Sequence, residues 1–391
     1  MIGILGSLVS EITGPSRLVI DIAMFFGLQV IVAMALNFQY GNAGVPNMGC
    51  AFQVITGAFT VSAITTRLAF WFAEQAGVHL LPYNTGQLWM WNSNNNVFMT
   101  NTILYQNAGL SISLLFFSLA VALVLGAVIG YVISLPAIRL RATYLIIVLI
   151  ALADASQIFG RNVLEICGGP LGMYVPNVFG WYPGDRSLIT AIVTMSIGLV
   201  SFFIFRTMLN SPYGRLMRAI RENEVTVGSI GKNVTGIRRN VLMFASGITA
   251  LVGVLNAFYA SFVVEGAYQR AYWTYWPWLM LILGGPGNNA GTFIGTAAII
   301  ALRRIIIVYK FSIESLIFFP ISYLEEILLG VLLILVMIFR PSGLIPEKLL
   351  YIPGVNYSKM VREEVKVDWR AAPKARAGKS RFSFGRKKEE A

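Results

Sequence analysis

The side chains that most often carry metal, redox or nucleophilic chemistry are scarce in this chain. Its 391 residues include two cysteines, Cys50 and Cys167, and one histidine, His79. A zinc site needs three or four such ligands, and a disulfide framework needs several cysteines. The sequence therefore predicts no metal site, no disulfide scaffold and no catalytic residues, and we expect that the chain is not an enzyme.

A nucleotide-binding loop is nearly present in the segment AGKS at 377–380. The P-loop pattern places a first glycine five residues before its Gly-Lys-Ser, so that the backbone can wrap phosphate. Pro373 occupies that position here. We therefore predict that this chain binds no ATP and no other cofactor.

One carboxylate, Asp154, lies inside an otherwise apolar stretch, ALADASQIFGR. Charges within a membrane span are rare and by default indicate function. Asp154 could contact an amino group of a substrate, could pair with Arg161 about two turns later, or could pair with another helix. The sequence leaves these three possibilities open.

Two glycine clusters are further candidates for a translocation pathway or gate. Unpaired backbone is costly in lipid, so a glycine-broken stretch at that depth must be buried in protein or line a polar cavity. Two other pairs, Gly126 with Gly130 and Gly291 with Gly295, have the spacing that favours close helix packing. The clusters contain Gly41, Asn42, Gly44 and Gly49 in the first half of the chain, and Gly284, Gly285 and Gly287 in the second.

The densest alternation of charge lies in the stretch NSPYGRLMRAIRENEVTVGSIGKNVTGIRRN at 210–240. On a helix, its charged residues fall at spacings of three and four, which predicts an amphipathic surface helix with ion pairs. The stretch could be an ordinary charged loop that sets topology, or a helix that docks onto a soluble partner. The spaced charges are Arg215, Arg218, Arg221, Glu222 and Glu224, and the apolar side comprises Leu216, Met217 and Ile220.

The elements that must position these residues are membrane helices. Hydrophobic residues make up 56% of the chain and charged residues 12%, against roughly 25% charged in soluble domains. The net charge of +12 therefore indicates basic residues flanking membrane spans, not a nucleic-acid binder. We predict an all-α polytopic membrane protein with eight to ten transmembrane or re-entrant helices. The clearest apolar runs are 18–36, 51–72, 110–135, 143–160, 187–209, 240–264 and 324–339, with two shorter pieces between 272 and 302.

Basic residues set the predicted orientation, because cytoplasmic loops carry an excess of Lys and Arg. The stretch 210–239 is basic, and the tail from Arg340 onward holds 13 of the 30 Lys and Arg, so both are predicted to be cytoplasmic. The stretch 73–109 has neither residue and is predicted to be an external loop. An even number of crossings must separate the two basic regions, so the pieces between 272 and 302 must cross twice or form a re-entrant hairpin. This orientation places Arg303, Arg304 and Lys310 outside.

The composition changes abruptly after Gly343. We predict a transmembrane domain at 1–345, with its cytoplasmic segment at 210–239. The remaining residues, 346–391, are predicted to form a basic and mostly disordered cytoplasmic tail that could touch anionic lipid.

Several segments, in order over most of residues 20–346, resemble the LivM/LivH-type permeases, the membrane subunits of importers for branched-chain amino acids. The most specific is SPYGRLMRAIRENEVTVGSIG at 211–231. At 46–50 this chain has Pro-Asn-Met-Gly-Cys, whereas the family usually has a run of serine, leucine, glycine and histidine. The other similar segments are LNFQYGNAGVPNMGCAFQVITGAFT, LPAIRLRATYLIIVLIAL, LILGGPGNNAGTFIGTAAI and FRPSGLIPE.

The resemblance implies a permease subunit of an ATP-binding cassette (ABC) importer in the cell membrane, which carries leucine, isoleucine and valine. It implies a second permease subunit in a heterodimer, two cytoplasmic ABC ATPases that use ATP, an extracytoplasmic substrate-binding protein and membrane lipid as partners. The implied ATPase-coupling residues are Gly214, Arg215, Arg218, Arg221, Glu222, Asn223 and Glu224, with Gly231 ending the helix.

Two alternatives stay open. Urea or short amides are alternative substrates, because permeases of closely similar sequence serve those solutes. An ion-driven secondary transporter is a further alternative, for which an inverted repeat and a paired acidic site would be expected. The sequence shows no convincing repeat, and Asp154 stands alone.

Overall fold

The computed structural model describes residues 15–83, 86–140, 142–308, 321–340 and 342–347. Nearly all regular structure in these ranges is helical, with one short β-ladder. The helices are α1 (Pro15–Leu36), α2 (Cys50–Thr60), α3 (Thr66–Gln75), α4 (Gly86–Gln106), α5 (Ala108–Arg139), α6 (Ala142–Asn162), α7 (Leu164–Cys167), α8 (Arg186–Asn210), α9 (Pro212–Glu222), α10 (Glu224–Ser229), α11 (Val234–Ala260), α12 (Trp276–Gly284), α13 (Asn289–Val308) and α14 (Ile321–Phe339).

Three π-helical turns interrupt or extend these helices. The turn Asn37–Asn42 continues α1, Val61–Thr65 joins α2 to α3, and Ala271–Tyr275 precedes α12. Short 3₁₀ turns occupy Gly169–Leu171 and Glu265–Tyr268. A π-turn lets the chain wind through an extra residue without losing backbone hydrogen bonds, and such turns often occur at functional sites.

The prediction of an all-α polytopic membrane protein is confirmed. Within the described ranges, seven helices are long and apolar enough to cross a membrane. A helix pairs its own backbone groups, so a long apolar run can enter lipid only in this form. The seven segments are Arg17–Asn42, Cys50–Gln75, Ala108–Ala137, Thr143–Asn162, Arg186–Asn210, Val234–Ala260 and Asn289–Ile307, and a shorter apolar helix covers Leu329–Phe339.

The core is built around α11, the most buried of these spans, which packs on α5, α2 and α1. Gly126 and Gly130 of α5 lie directly against α11, where a Cβ at either position would clash with Ser246 or Leu242. Gly57 of α2 meets α11 in the same way. The predicted close packing at Gly126 and Gly130 is therefore confirmed, because only glycine lets the helix axes approach this closely.

The bundle has two distinct ends. The basic end carries α9 and α10. The opposite end carries the ladder in which β1 (Met173–Tyr174) pairs antiparallel with β2 (Phe262–Val263). At that end the Arg186 guanidinium donates hydrogen bonds to the carbonyls of Phe258 and Tyr259, which ties the start of α8 to the end of α11.

The helices α12 and α13 run as an antiparallel pair with their joint at the basic end. The Arg304 guanidinium lies 3.2 Å from the ring centroid of Phe25, in the half of α1 near the opposite end. Arg303 lies 4.5 Å from the Tyr272 ring centroid. Arg303 and Arg304 therefore lie at the end opposite α9, which agrees with the even number of crossings predicted between the two basic regions. Lys310 lies outside the described residues.

The stretch predicted as an external loop at 73–109 contains α4, a helix of 21 residues. Half of the buried residues on its inward face are polar. The sequence therefore lacks the stripe of apolar residues, three or four apart, that predicts a helix. The buried Asn96 side chain accepts a hydrogen bond from the Leu81 amide at 2.8 Å and donates one to the Leu81 carbonyl at 2.9 Å. The buried face contains Trp89, Ser93, Asn96, Val97, Thr100 and Leu104.

Replacing Gly126 with leucine should destabilise the bundle, because the new side chain must displace the α11 backbone. Overpacking of this kind costs about 1–3 kcal/mol. The matched control is Gly109→Leu in the same helix, where a Cβ meets nothing within 4 Å. Thermal unfolding in detergent should show a lower midpoint for Gly126→Leu alone, and equal midpoints would contradict this packing.

Candidate functional site

The predicted amphipathic helix at the basic end is two short helices, not one. The chain breaks at Asn223, whose backbone is extended, and the Asn223 side chain accepts a hydrogen bond from the Thr226 amide at 3.1 Å. Asparagine is a preferred residue at the position before a helix, so Asn223 ends α9 and caps the start of α10. Gly231 has a φ of +77°, which terminates the pair as predicted. We call residues 212–231 the docking segment.

The inner face of the docking segment is held to the bundle by apolar contacts. Met217, Ile220 and Val227 are buried, and Leu216 is half-buried. The Tyr213 hydroxyl donates to the Ile237 carbonyl at 3.3 Å, and burial raises the pKa of that hydroxyl. The predicted apolar side is thus confirmed.

The start of α9 fits tightly under the end of α8. A Cβ at Gly214 would collide with the backbone of Leu209, so the close approach requires glycine. Arg215 on the same turn is exposed. Arg215 therefore points away from the bundle while Gly214 touches it.

The ion pairs expected from the helical spacing do not form. Arg218 donates to the Leu209 carbonyl at 3.4 Å instead of pairing with Glu222. Glu224 pairs with Arg238 of α11 at 2.6 Å instead of with Arg221. The break at Asn223 rotates the second half of the segment, so the assumed register between the two halves is lost.

Arg221 connects the docking segment to the rest of the basic end. Its guanidinium donates to the Gly41 carbonyl, pairs with Glu347 at 2.8 Å and pairs with Glu222 at 2.9 Å. Burial alone would lower the pKa of Arg221, but the hydrogen bonds with Glu347 and Glu222 raise it above its ordinary value. Arg221 therefore stays charged, and Gly44, at a φ of +72°, lies against its side chain.

The same place holds the glycine-rich break between α12 and α13. The Asn37 side chain accepts a hydrogen bond from the Gly287 amide and donates one to Asn289, each at 2.8 Å. A Cβ at Gly41 would collide with Asn37 and approach the Gly287 amide. The end of α1 and the break are therefore in direct contact, and glycine at 41 allows it.

The closing segment 342–347 completes the contact. The Leu344 amide donates to the Leu283 carbonyl at 2.7 Å, and the Ile345 amide donates to the Gly284 carbonyl at 3.1 Å. Gly285 has a φ of +108° and Gly287 a φ of +86°, conformations that favour glycine. We call the set formed by the turn Asn37–Asn42, residues 284–289, the closing segment and Arg221 the junction.

The structure thus brings together most of the predicted gate residues, but not all. Gly41, Gly44, Gly284, Gly285 and Gly287 belong to the junction or touch it. Asn42 is buried beside them and donates to the Asn37 carbonyl at 3.0 Å. Gly49 lies elsewhere, against Leu149 of α6, where its amide binds the Asn47 side chain.

Asp154 is also separate from the junction. It pairs with Arg270 at 2.8 Å, while Arg161 pairs with Glu265 at 3.3 Å. The predicted alternative of an Asp154 pair with Arg161 is therefore wrong. Arg270 begins the helical run that continues through the π-turn into α12, so the alternative that pairs Asp154 with another helix is the one observed.

Sequence reasoning missed three residues that the structure makes important. Asn37 bridges α1 to the break, Glu347 is the carboxylate partner of Arg221, and Arg270 is the partner of Asp154. Glu347 stands in the phrase FRPSGLIPE, but its partner is 126 residues away in sequence. No local spacing indicates such a pair.

The described residues hold no group of three or more His, Cys, Asp or Glu that could bind a metal ion. Cys50 and Cys167 are both free and buried. Burial raises the pKa of the Cys167 thiol to about 11, so it is protonated at neutral pH. The junction links one surface segment, through Arg221, to the end of α1 and to the break between α12 and α13.

Comparison with known proteins gives a consistent result. The family model described as branched-chain amino acid transport system / permease component matches residues 18–337. A probable branched-chain amino acid transport permease protein LivM from Methanocaldococcus jannaschii is 33% identical over 338 residues, which cover 86% of this chain and 95% of that protein. The high-affinity branched-chain amino acid transport system permease protein LivM of Escherichia coli is 25% identical, over 85% of this chain and 71% of its own. No solved structure gives a significant match.

The pairing of Arg221 with Glu347 should contribute more to stability than its pairing with Glu222. The Glu347 side chain is 30% exposed and the Glu222 side chain 73% exposed, so water screens the second pair more. Double-mutant cycles should give a coupling of about 1–3 kcal/mol for Arg221→Gln with Glu347→Gln. The control cycle with Glu222→Gln should give less than about 1 kcal/mol. Equal non-additivity in the thermal midpoints of the two cycles would contradict the junction geometry.

Proposed function

This chain belongs to the family of branched-chain amino acid transport permease components, and on that premise we propose that it is the membrane-spanning permease subunit of an ABC importer. Its substrates are leucine, isoleucine and valine. It lies in the cell membrane with the docking segment and the tail in the cytoplasm. The chain itself binds no cofactor, and ATP is used by partner subunits.

The observation that carries this proposal is the docking segment, which is anchored on one face and open on the other. Val225 is 72% exposed and Ile230 is 67% exposed, at the end of the bundle that holds the basic residues. Exposed apolar side chains ringed by charged residues are typical of a protein interface. Beside Val225 lies a polar cavity of about 250 Å³, lined by Glu224, Val234, Thr235 and Arg238.

The junction supports a mechanism of transmitted displacement. Two ATPases close on ATP, the docking segment moves with the ATPase that it contacts, and Arg221 pulls on the Gly41 carbonyl and on Glu347. Gly41 lies in the π-turn that ends α1, and Glu347 lies against Gly287 of the break, so both partners of Arg221 adjoin places where helices can rearrange. An ATPase shifts the permease only if its contacts differ in energy between those states.

The remaining partners follow from the same proposal. A second permease subunit forms a heterodimer with this chain, and a substrate-binding protein delivers the amino acid at the opposite end. The multi-subunit character agrees with the family description, which names one component of a transport system.

The test is uptake of radiolabelled leucine into proteoliposomes that contain the co-purified complex and the binding protein, with ATP inside or absent. We expect accumulation only with internal ATP. ATP hydrolysis without leucine uptake would keep the importer and exclude this substrate in favour of urea or short amides. If no ATPase co-purifies, the importer proposal fails.

Acidic substitutions at Val225 and Ile230 should weaken the ATPase interface, because each buries an unpaired charge there. We expect at least a tenfold loss of ATPase co-purification for Val225→Asp and for Ile230→Asp, with normal membrane insertion. The matched control is Leu171→Asp at the opposite end, where leucine is 63% exposed. Undiminished co-purification of both docking-segment variants would remove this surface from the interface.

A further inference from the structure

The ion pair between Asp154 and Arg270 is unusual because both side chains remain partly open. The carboxylate and the guanidinium lie 2.8 Å apart, with 41% and 32% of their side chains exposed. Asp154 belongs to the span Thr143–Asn162. An ion pair in such a span would ordinarily be buried between helices.

The position of Asp154 along its span determines what can cover it. It lies 11 residues after Thr143 and eight before Asn162, about 17 Å and 12 Å at the helical rise of ~1.5 Å per residue. Charged groups at that depth do not face hydrocarbon, since they line water or contact protein. The open side of the pair therefore faces water or another protein, not lipid.

The pair is not needed to hold α6 to the neighbouring loop. The Gln157 side chain already donates to the Tyr268 carbonyl at 2.7 Å. One turn further, Arg161 pairs with Glu265, which is nearly buried. These two contacts fix the loop at residues 265–268, so the Asp154 and Arg270 pair is free to open without detaching it.

We propose that Asp154 and Arg270 form a binding site for the zwitterionic head of an amino acid. The guanidinium binds the α-carboxylate, the Asp154 carboxylate binds the α-ammonium group, and the internal ion pair opens as the substrate enters. Each charge exchanges one partner for another of the same sign, so the net charge of the site is unchanged. A guanidinium suits a carboxylate because its planar fork matches both oxygens.

The helix face beside this pair suits an aliphatic side chain. Ile147, Ala151 and Ile158 lie seven and three residues before and four residues after Asp154, which places them on its face of α6. All three are exposed. A branched side chain could rest on this apolar strip while the head group occupies the charges. Urea carries neither charge, so the same site would discriminate between the two substrate classes.

This inference rests on the proposed function, and leucine uptake in the proteoliposome system tests it. We expect Asp154→Asn and Arg270→Gln each to lower leucine uptake at least tenfold, while ATP hydrolysis stimulated by the binding protein stays within twofold of the wild type. The matched control is Glu165→Gln, which removes an exposed carboxylate just beyond the same helix and should retain uptake.

A charge exchange separates a binding role from a structural one. Asp154→Arg combined with Arg270→Asp restores an ion pair but reverses the charges that meet the substrate, so uptake should stay low. Recovery of wild-type uptake would show that the pair only joins two elements. Should the exchanged chain fail to insert, the near-isosteric Asp154→Asn decides alone, and unchanged uptake overturns the site. Absence of leucine uptake in the wild type would instead refute leucine as the substrate of the proposed importer.

Discussion

Backbone groups that lose their helical partners inside a membrane must find others within the protein, and this constraint organises the basic end. α12 stops at Gly284, so the carbonyls of Leu283 and Gly284 take amide partners from the closing segment. The Gly287 amide, on the other side of the break, is taken by the Asn37 side chain. The break between α12 and α13 therefore requires other segments beside it, and the junction is the set of those segments.

Once the segments are assembled, a single cation can join them to the surface. The guanidinium of Arg221 has five donors in a fixed plane, and it donates three hydrogen bonds, to one carbonyl and two carboxylates. Lysine would offer a point charge without that geometry. The docking segment is thus fixed to the bundle through Arg221 and its apolar inner face, while Val225 and Ile230 stay open.

The sequence is sufficient for the spans and for the place of the breaks, because apolar length and glycine content are local properties. It is insufficient for Arg221 with Glu347, a pair set by tertiary contact across 126 positions. It also misleads at Asn223, where a capping side chain stops a helix that the charge spacing would continue. The sequence does not predict the buried face of α4 for a third reason. Asn96 occupies a buried position that is normally apolar, because its side chain hydrogen-bonds the backbone of Leu81.

The junction and the ion pair at Asp154 lie near the two ends of one continuous helical run. Arg270 precedes the π-turn Ala271–Tyr275, which continues into α12 and ends at Gly284, a run of about 20 Å. Two hydrogen bonds join this run to the start of α2. The Trp278 indole donates to the Asn47 carbonyl at 3.0 Å, and the Thr274 hydroxyl accepts from the Ala51 amide at 3.1 Å. A displacement of the break therefore has a direct backbone route to Arg270. The π-turn lies on that route, and a helix can rewind at such a turn, as it can bend at Pro277 two residues further on.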